Sequence, residues 1–489
     1  MSAADQRVGS FVEARTTAGR VKGAWRNDCA VFLGIPFAQP PTGPLRFAAP
    51  VPHEPWEGVR DALVMGATPQ RGDNGITLIP EPSVEGDSTL NVNVFTPSPG
   101  TDSGLPVMVY IHGGGFTSGS PASTWYDGTA FARNGAVTVV ISYRLGFEGF
   151  GWVEGAPHNR GVLDWLLALE WVQENIASFG GDPSRVTIAG QSAGGGAVLT
   201  LLGMEKAHHL FNGVYCISGV AADVTADKAR DFAKKLAAKA GVEPTRAGFE
   251  SVNELDLLEI QKKAVMPKGL PLKALTSLAT DGLILGPVMD GVLITRPTID
   301  SIRSGVGSHI PLVIGSTDDE FSMIFAMMKK IVKFIPTGFL LGGLGLKGER
   351  RARYLAANQD VLPGGSGAIA GRFLTDSIFR TFIVKFLDAR GDAPTWVYRF
   401  SWRSPVFGYA VHCIDVPFFF DVLDKEAIAA LAGDAPPQKI ADELHADASR
   451  FLAEADPGWP QYLAKATTKV FDINSAVIED GYKSVRPLL

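Results

Sequence analysis

Cysteine is nearly absent from this chain: Cys29, Cys216 and Cys413 are the only three in 489 residues. They are too few and too scattered for a disulfide framework or a thiolate metal site. Charge of one sign is lacking too. Lys and Arg number 45 against 51 Asp and Glu, and with a net of −6 nothing suggests a nucleic-acid surface. No apolar run is long enough to cross a bilayer: the most apolar stretch, Ile331 to Leu346, is interrupted by Lys333 and Pro336. Met1 to Val12 has no apolar core of the kind that makes a secretory signal, so a cytoplasmic protein is expected. Internal repeats and low-complexity linkers are also missing.

What is present is enough apolar residue, 46%, to bury a sizeable core, with 55 glycines and 32 prolines to make many turns. Val8 to Ala24 and Ala30 to Leu33 read as short strands around a turn at Arg26-Asn27-Asp28. Pro36 to Pro55 is too proline-rich for regular structure and reads as a long ordered loop. Leu90 to Phe95, Val107 to His112 and Val137 to Ser142 read as strands. Val107 to Ile111 is continuously apolar, as expected of a strand covered on both faces of a mostly parallel sheet. Gly161 to Phe179 has helical spacing, Val186 to Ala189 is a strand, and a helix follows Ser192. Further strands are expected at Ile310 to Ser316 and Thr395 to Ser401. This alternation makes an open α/β sheet. Helical compositions at Thr225 to Leu275 and Phe321 to Leu346 read as insertions that cap the carboxyl ends of the strands.

Gly190-Gln191-Ser192-Ala193-Gly194 lies between the strand Arg185 to Ala189 and the small-residue run from Gly195. A serine that acts as nucleophile must project from a very sharp turn. Glycines two residues on either side let strand and helix come close enough to make it. The same turn aims the Ala193 N–H at the place where charge forms on an attacked carbonyl. His112-Gly113-Gly114-Gly115-Phe116, directly after the Val107 to Ile111 strand, is a second glycine-rich loop. Without side chains in the way, the N–H groups of Gly113 and Gly114 can converge on the same point. Alone, either pattern could be a plain glycine turn. Together, each behind its own strand, they point to acyl transfer.

Such a serine needs a base, and the base needs an acid to orient it. Of the eight histidines, His309 and His412 follow the serine in suitable loops. His309 immediately precedes a strand, at the opposite edge of a parallel sheet, which leaves His412. For the acid, Asp318, Asp319 and Glu320 lie at the carboxyl end of the Pro311 to Gly315 strand, and position does not choose among them.

The chain resembles the type-B carboxylesterases, the α/β-hydrolase group that includes bacterial carboxylesterases and the cholinesterases. The resemblance rests on Gly34 to Pro41 with Leu45-Arg46-Phe47, on Leu90 to Val94 and Tyr143 to Gly146, and on Asn159-Arg160-Gly161 with Asp164. Phe179 to Pro183 and Gly190 to Gly195 complete it. It implies that Glu320, within Gly315 to Glu320, is the triad acid, and that His412, followed by Asp415 and Pro417 to Phe420, is the base. The order Ser192, Glu320, His412 agrees with the hydrolase order of nucleophile, acid and base. Thr317 and Phe321 stand where the family commonly has Asn and Gly, and the stretch Gly408 to Val411 is one residue longer than usual. Thr68 and Ser88 occupy the positions of a disulfide pair in many secreted members, and Gln191 replaces a common Glu.

The resemblance implies one α/β-hydrolase unit over residues 1–489, a mostly parallel central sheet flanked by helices, with helical cap insertions near 225–275 and 321–375. It implies a serine carboxylesterase for moderately apolar esters, with Gly113, Gly114 and Ala193 holding the oxyanion and no metal or organic cofactor. Phe116, Phe321 and Phe325 are the expected substrate-binding residues. The Met- and Phe-rich segment from Phe321 to Phe339 reads either as cap packing or as an adaptable apolar wall of the substrate gorge. The partner is a small-molecule ester, or alternatively an aryl carbamate or aryl amide. No nucleic acid or membrane span is expected, and nothing selects between monomer and homodimer. A non-catalytic adhesion protein on the same fold is disfavoured by the presence of all three triad residues.

Overall fold

Residues 9–72, 77–265 and 280–489 are described in the computed structural model of this chain. The strands in chain order are β1 (Phe11–Arg15), β2 (Arg20–Arg26), β3 (Cys29–Pro36), β4 (Val59–Asp61), β5 (Asn91–Thr96), β6 (Gly100–Ile111), β7 (Val137–Ile141) and β8 (Phe179–Gln191). They continue with β9 (Gly213–Ile217), β10 (Val224–Thr225), β11 (Val288–Met289), β12 (Leu312–Thr317), β13 (Thr395–Phe400), β14 (Thr468–Phe471) and β15 (Ala476–Ile478). One large sheet has the order β1-β2-β3-β5-β7-β6-β8-β9-β12-β13-β14-β15, with β4 beside β2. From β7 to β14 every neighbour is parallel, and the outer pairs β1–β2, β2–β3, β3–β5, β5–β7 and β14–β15 are antiparallel, while β4 runs parallel to β2. This is the α/β-hydrolase arrangement expected above. Strands β10 and β11 make a separate parallel pair.

The apolar run in β6 explains how the sheet is clad. Val107, Val109 and Ile111 enter one core layer, while Met108 and Tyr110 enter the other. The first layer packs on Trp165, Ala168 and Leu169 of the helix Arg160–Asn175 and on Val198 of the helix Ala193–Leu202. The second packs on Ala441, Leu444 and Phe451 of the helix Gln438–Glu454. Side chains alternate across a strand, so only apolar residues at every position suit a strand covered on both faces.

The register levels the carboxyl ends of the central strands. Ile111 lies opposite Gly190, Gln191 opposite Ile217, Ile217 opposite Gly315, and Thr317 opposite Phe400. The loops leaving β6, β8, β12 and β13 therefore emerge along one edge, where open α/β sheets place their sites.

Two boundaries differ from expectation. The helix expected to reach Phe179 stops at Asn175, and a single 3₁₀ turn, Ile176–Ser178, leads into β8. Phe179 starts that strand because it pairs with the β6 extension at Gly100, and its ring is buried edge-on against Phe32. The first insertion forms helices Ala226–Ala240, Arg246–Glu250 and Glu254–Val265. The Thr225 hydroxyl caps the first of these, and Gly241, at φ +71°, ends it. The remainder of that insertion, 266–275, lies outside the described residues. The second insertion is broken into short helices, Ser322–Met327, Lys329–Val332 and Thr337–Gly343, followed by Gly348–Ala357 and Gly365–Thr375. Pro336 stands just before the third of these and Gly345, at φ +91°, just after it, which accounts for the breaks on either side of it. A π-helical turn, Asp376–Arg380, joins the last of these to the helix Thr381–Arg390.

Candidate active site

Ser192 sits between β8 and the helix Ala193–Leu202, with φ +58° and ψ −119°. A serine holds this backbone conformation only when its surroundings enforce it. Here the enforcement is steric and polar. A Cβ at Gly190 would run into the Gly194 carbonyl, and one at Gly194 would strike the Ile111 carbonyl. The Ser192 N–H donates to the Ile217 carbonyl of β9 at 2.9 Å, which pins the turn to the next strand.

His412 Nε2 lies 3.0 Å from Ser192 Oγ, and His412 Nδ1 lies 2.5 Å from Glu320 Oε2. The His412 N–H also donates to the Glu320 carbonyl at 2.8 Å, so backbone and side chain both tie the two loops together. The other carboxylate oxygen of Glu320 accepts from Ser218 Oγ at 2.7 Å and from the Thr317 N–H at 2.9 Å. Thr317 thus serves this carboxylate through its backbone N–H, which any residue but proline could supply.

The neighbouring acids have other occupations. Asp318 takes a two-pronged ion pair from Arg399, at 2.8 and 2.7 Å, and accepts from Ser401 Oγ at 2.8 Å. Asp319 pairs with Arg372 at 3.0 Å, both side chains being buried. Among the three acids only Glu320 reaches the imidazole. Of the two histidines weighed for the base, His309 is exposed, before β12, with its ring against His208.

Burial opposes a charge on His412, but the Cys413 sulfur and the Glu320 carboxylate beside it favour the imidazolium. The outcome is a pKa well above the ordinary 6.5. Burial also raises the Cys413 thiol, which stays neutral, so the carboxylate is the effective charge.

The glycine loop after β6 lies against the serine. A Cβ at Gly113 would meet the Gln191 carbonyl at 2.8 Å and Ser192 Cβ at 3.2 Å. Gly114 has φ +111° and Gly115 φ +61°. The N–H groups of Gly113 and Gly114 donate to no carbonyl among the described residues, and Ala193 is the first helical residue, whose N–H has no acceptor within its helix. Tyr143 holds the loop by donating its hydroxyl to the His112 carbonyl at 2.8 Å, and Gly146 N–H takes the Phe116 carbonyl at 2.7 Å. Arg144 and Asp164, 2.6 Å apart and buried, fasten the strand end that carries Tyr143. The motif residues 143–164 are thus scaffolding for the loop.

Above these groups is a cavity of about 320 Å³, lined by Gly113, Gly114, Gln191, Ser192, Ala193 and His412 on its floor. Its walls include Leu78, Ile79, Val220, Leu283, Phe321 and Phe379. Of the three residues expected to touch substrate, Phe321 is in the wall, with its ring 5.3 Å from the His412 ring. The other two require correction. Phe116 is fully buried and packs on Phe150 and Trp165, because the φ of +60° at this position turns the ring under the loop into the core. Phe325 points inward from its short helix into the cap cluster with Ile369 and Leu341. Met327, Phe334 and Phe339, in the segment read either as cap packing or as a gorge wall, face outward and do neither.

The wall residues the sequence did not disclose are Phe379, Val220, Leu283, Leu78 and Ile79. Phe379 stacks obliquely 5.2 Å from the His412 ring and belongs to the π-helical turn, a local widening that often marks functional sites. The Thr68–Ser88 loop that carries Leu78 and Ile79 is closed without a disulfide: the Thr68 N–H donates to the Val84 carbonyl at 3.0 Å, and the Val84 N–H donates to Thr68 Oγ1 at 2.9 Å. All three cysteines are free and buried. Among the described residues there is no cluster of metal-ligating side chains and no helix long and apolar enough to cross a membrane.

The model of the carboxylesterase family matches residues 10–484. Para-nitrobenzyl esterase of Bacillus subtilis is 32% identical over 468 residues, covering 91% of this chain and 92% of that protein. Liver carboxylesterase of Sus scrofa is 31% identical over 91% of this chain and 87% of its own length. Among solved structures, the Geobacillus stearothermophilus carboxylesterase EST55 superposes with a TM-score of 0.83 at 30% identity, over 97% of this chain and 99% of that one.

Proposed function

Because the chain belongs to the carboxylesterase family and is thereby a carboxylic ester hydrolase, we propose that it cleaves moderately apolar esters through an acyl-enzyme on Ser192. The observation that carries this reading is the unbroken relay from Ser192 Oγ through His412 to Glu320, set beneath an apolar cavity. His412 Nε2 takes the serine proton as Oγ attacks the ester carbonyl. The carbonyl oxygen becomes an oxyanion against the N–H groups of Gly113, Gly114 and Ala193, each such donor contributing roughly 10²–10³ in rate. The imidazolium then gives its proton to the departing alcohol, while Glu320 holds Nδ1–H and stabilises the charge. Water, activated by His412 in turn, attacks the acyl-enzyme and releases the acid. The reaction is complete with these side chains and backbone groups.

The wall residues Leu78, Ile79, Val220, Leu283, Phe321 and Phe379 present carbon to the substrate, which supports esters with apolar acyl or alcohol parts. The whole chain works as one unit in this reading, with the insertions near 225–275 and 321–375 forming the cap. A panel of p-nitrophenyl esters of rising acyl length, run beside an aryl carbamate and an anilide, tests the preference. Faster turnover of the carbamate or the anilide than of any ester overturns it.

A further inference from the structure

The second insertion has an outer surface unlike the rest of the molecule. From Phe321 to Lys347 the chain carries Lys329, Lys330, Lys333 and Lys347 and no acidic residue, in a protein whose net charge is −6. Within thirteen residues of that segment, Met327, Phe334 and Phe339 are 79%, 77% and 78% exposed. Single exposed apolar residues are ordinary on protein surfaces, but three nearly bare ones grouped among lysines are not.

The packing explains why they are left outside the cap core. The helices Ser322–Met327, Lys329–Val332 and Thr337–Gly343 all lie on the helix Gly365–Thr375. Each sends its inward residues, Phe325, Val332, Leu340 and Leu341, into one cluster around Ile369. Met327, Phe334 and Phe339 alternate in sequence with these inward residues and lie outside their cluster. Lys330 and Lys333 are exposed there, and Lys333 Nζ sits 4.7 Å from the centre of the Phe334 ring.

We propose that this cap surface docks on an anionic lipid surface, with Met327, Phe334 and Phe339 entering the acyl boundary and Lys330 and Lys333 meeting the phosphates. Short helices with apolar residues on one side and lysines flanking them have the composition of an interfacial anchor. The charge argument selects this occupant over a second copy of the chain. A two-fold contact through this patch would set its lysines against their own copies, whereas an anionic bilayer supplies the negative charge that the segment lacks. The surface belongs to the same segment as Phe321, which lines the catalytic cavity, so docking would bring the cavity close to lipid-dissolved molecules. The docking is independent of ester hydrolysis and is measured without it.

Co-flotation of the full chain with vesicles of phosphatidylcholine, pure or mixed with phosphatidylglycerol, is the test. The expected result is binding to the mixed vesicles that weakens as salt is raised, and little binding to the neutral ones. Each lysine lost should reduce partition about fivefold, so the double variant Lys330→Glu/Lys333→Glu should fall at least about twenty-five-fold. Phe334→Ser/Phe339→Ser should fall comparably, and both variants should hydrolyse p-nitrophenyl acetate in lipid-free buffer as the parent does. Equal binding to both vesicle types, no binding by the parent, or variants that bind like the parent would overturn the proposal. A concentration-dependent dimer abolished by the Phe variant, without vesicle binding, would assign the surface to a second copy instead.

Discussion

Glu320 Oε2 lies 2.5 Å from His412 Nδ1, while the two acids before it in sequence each face an arginine. The contrast separates a carboxylate that serves the imidazole from two that hold the loop. Glu320→Gln is expected to lower kcat by roughly 10³–10⁴, since the amide cannot hold the required tautomer. Asp319→Asn should instead leave most of kcat/KM and lower Tm, because it leaves buried Arg372 without its counter-charge. Steady-state kinetics and thermal melts of the two variants check this, and a larger kinetic loss from Asp319→Asn would reassign the acid.

The base must be neutral to accept the serine proton, so activity rises with pH through the His412 ionisation. Burial alone would place that midpoint low, but the charged Glu320 carboxylate brings it above 6.5. The acid limb of kcat/KM should therefore have its midpoint above 6.5. In Glu320→Gln, with the negative charge gone, the limb of the residual activity should move to lower pH. An unmoved limb would mean that some other group controls it.

Asp318 bears on stability. Burial would raise its pKa, but the guanidinium of Arg399, helped by Arg372 and Arg380, holds it well below the ordinary 3.8. A depressed native pKa gives stability that is present above 3.8 and lost as pH falls toward the native value. Unfolding free energy measured by denaturant titration should thus fall steeply on the acid side of pH 4. The slope should be shallower in Asp318→Asn, and identical slopes would contradict the assignment.

Phe379 lies against the His412 ring and the cavity. Phe379→Leu keeps an apolar side chain but removes the flat wall. The ratio of kcat/KM for a hexanoyl ester over an acetyl ester should change about tenfold, within the range one altered hydrophobic pocket contact supplies. An unchanged ratio would place the chain-length determinant elsewhere.

These residues differ in how far they can be read from sequence, and the differences are physical. Ser192, Gly113 and Gly114 are visible because their chemistry needs short turns directly after apolar strands, and strand and turn are both local. The choice of Glu320 over Asp318 and Asp319 needed the family resemblance. What distinguishes the three is Arg372 and Arg399, 53 and 81 residues away from their partners. Phe116 and Phe325 show the opposite limit: composition marks them as apolar, but only backbone direction decides whether a ring faces a cavity or a core. Phe379 is not legible because nothing local in its stretch marks a site, and only the fold brings this π-helical turn against the His412 ring. Most of the sheet was legible from its two-faced apolar strands, but the central strand β9 and the edge strands β14 and β15 were not read from the sequence. The helix-to-strand boundary at Phe179 was not, since its pairing partner Gly100 lies in a polar stretch.

The role of Ser192 is the claim on which the rest depends. Brief reaction with a p-nitrophenyl ester, acid quench and peptide mass mapping would read it directly. The expected result is one acyl group per chain, carried by the peptide containing Ser192, with no label and no turnover in a folded Ser192→Ala variant. An acyl group on any other residue, or Ser192→Ala turning over at the parent's rate, would contradict it.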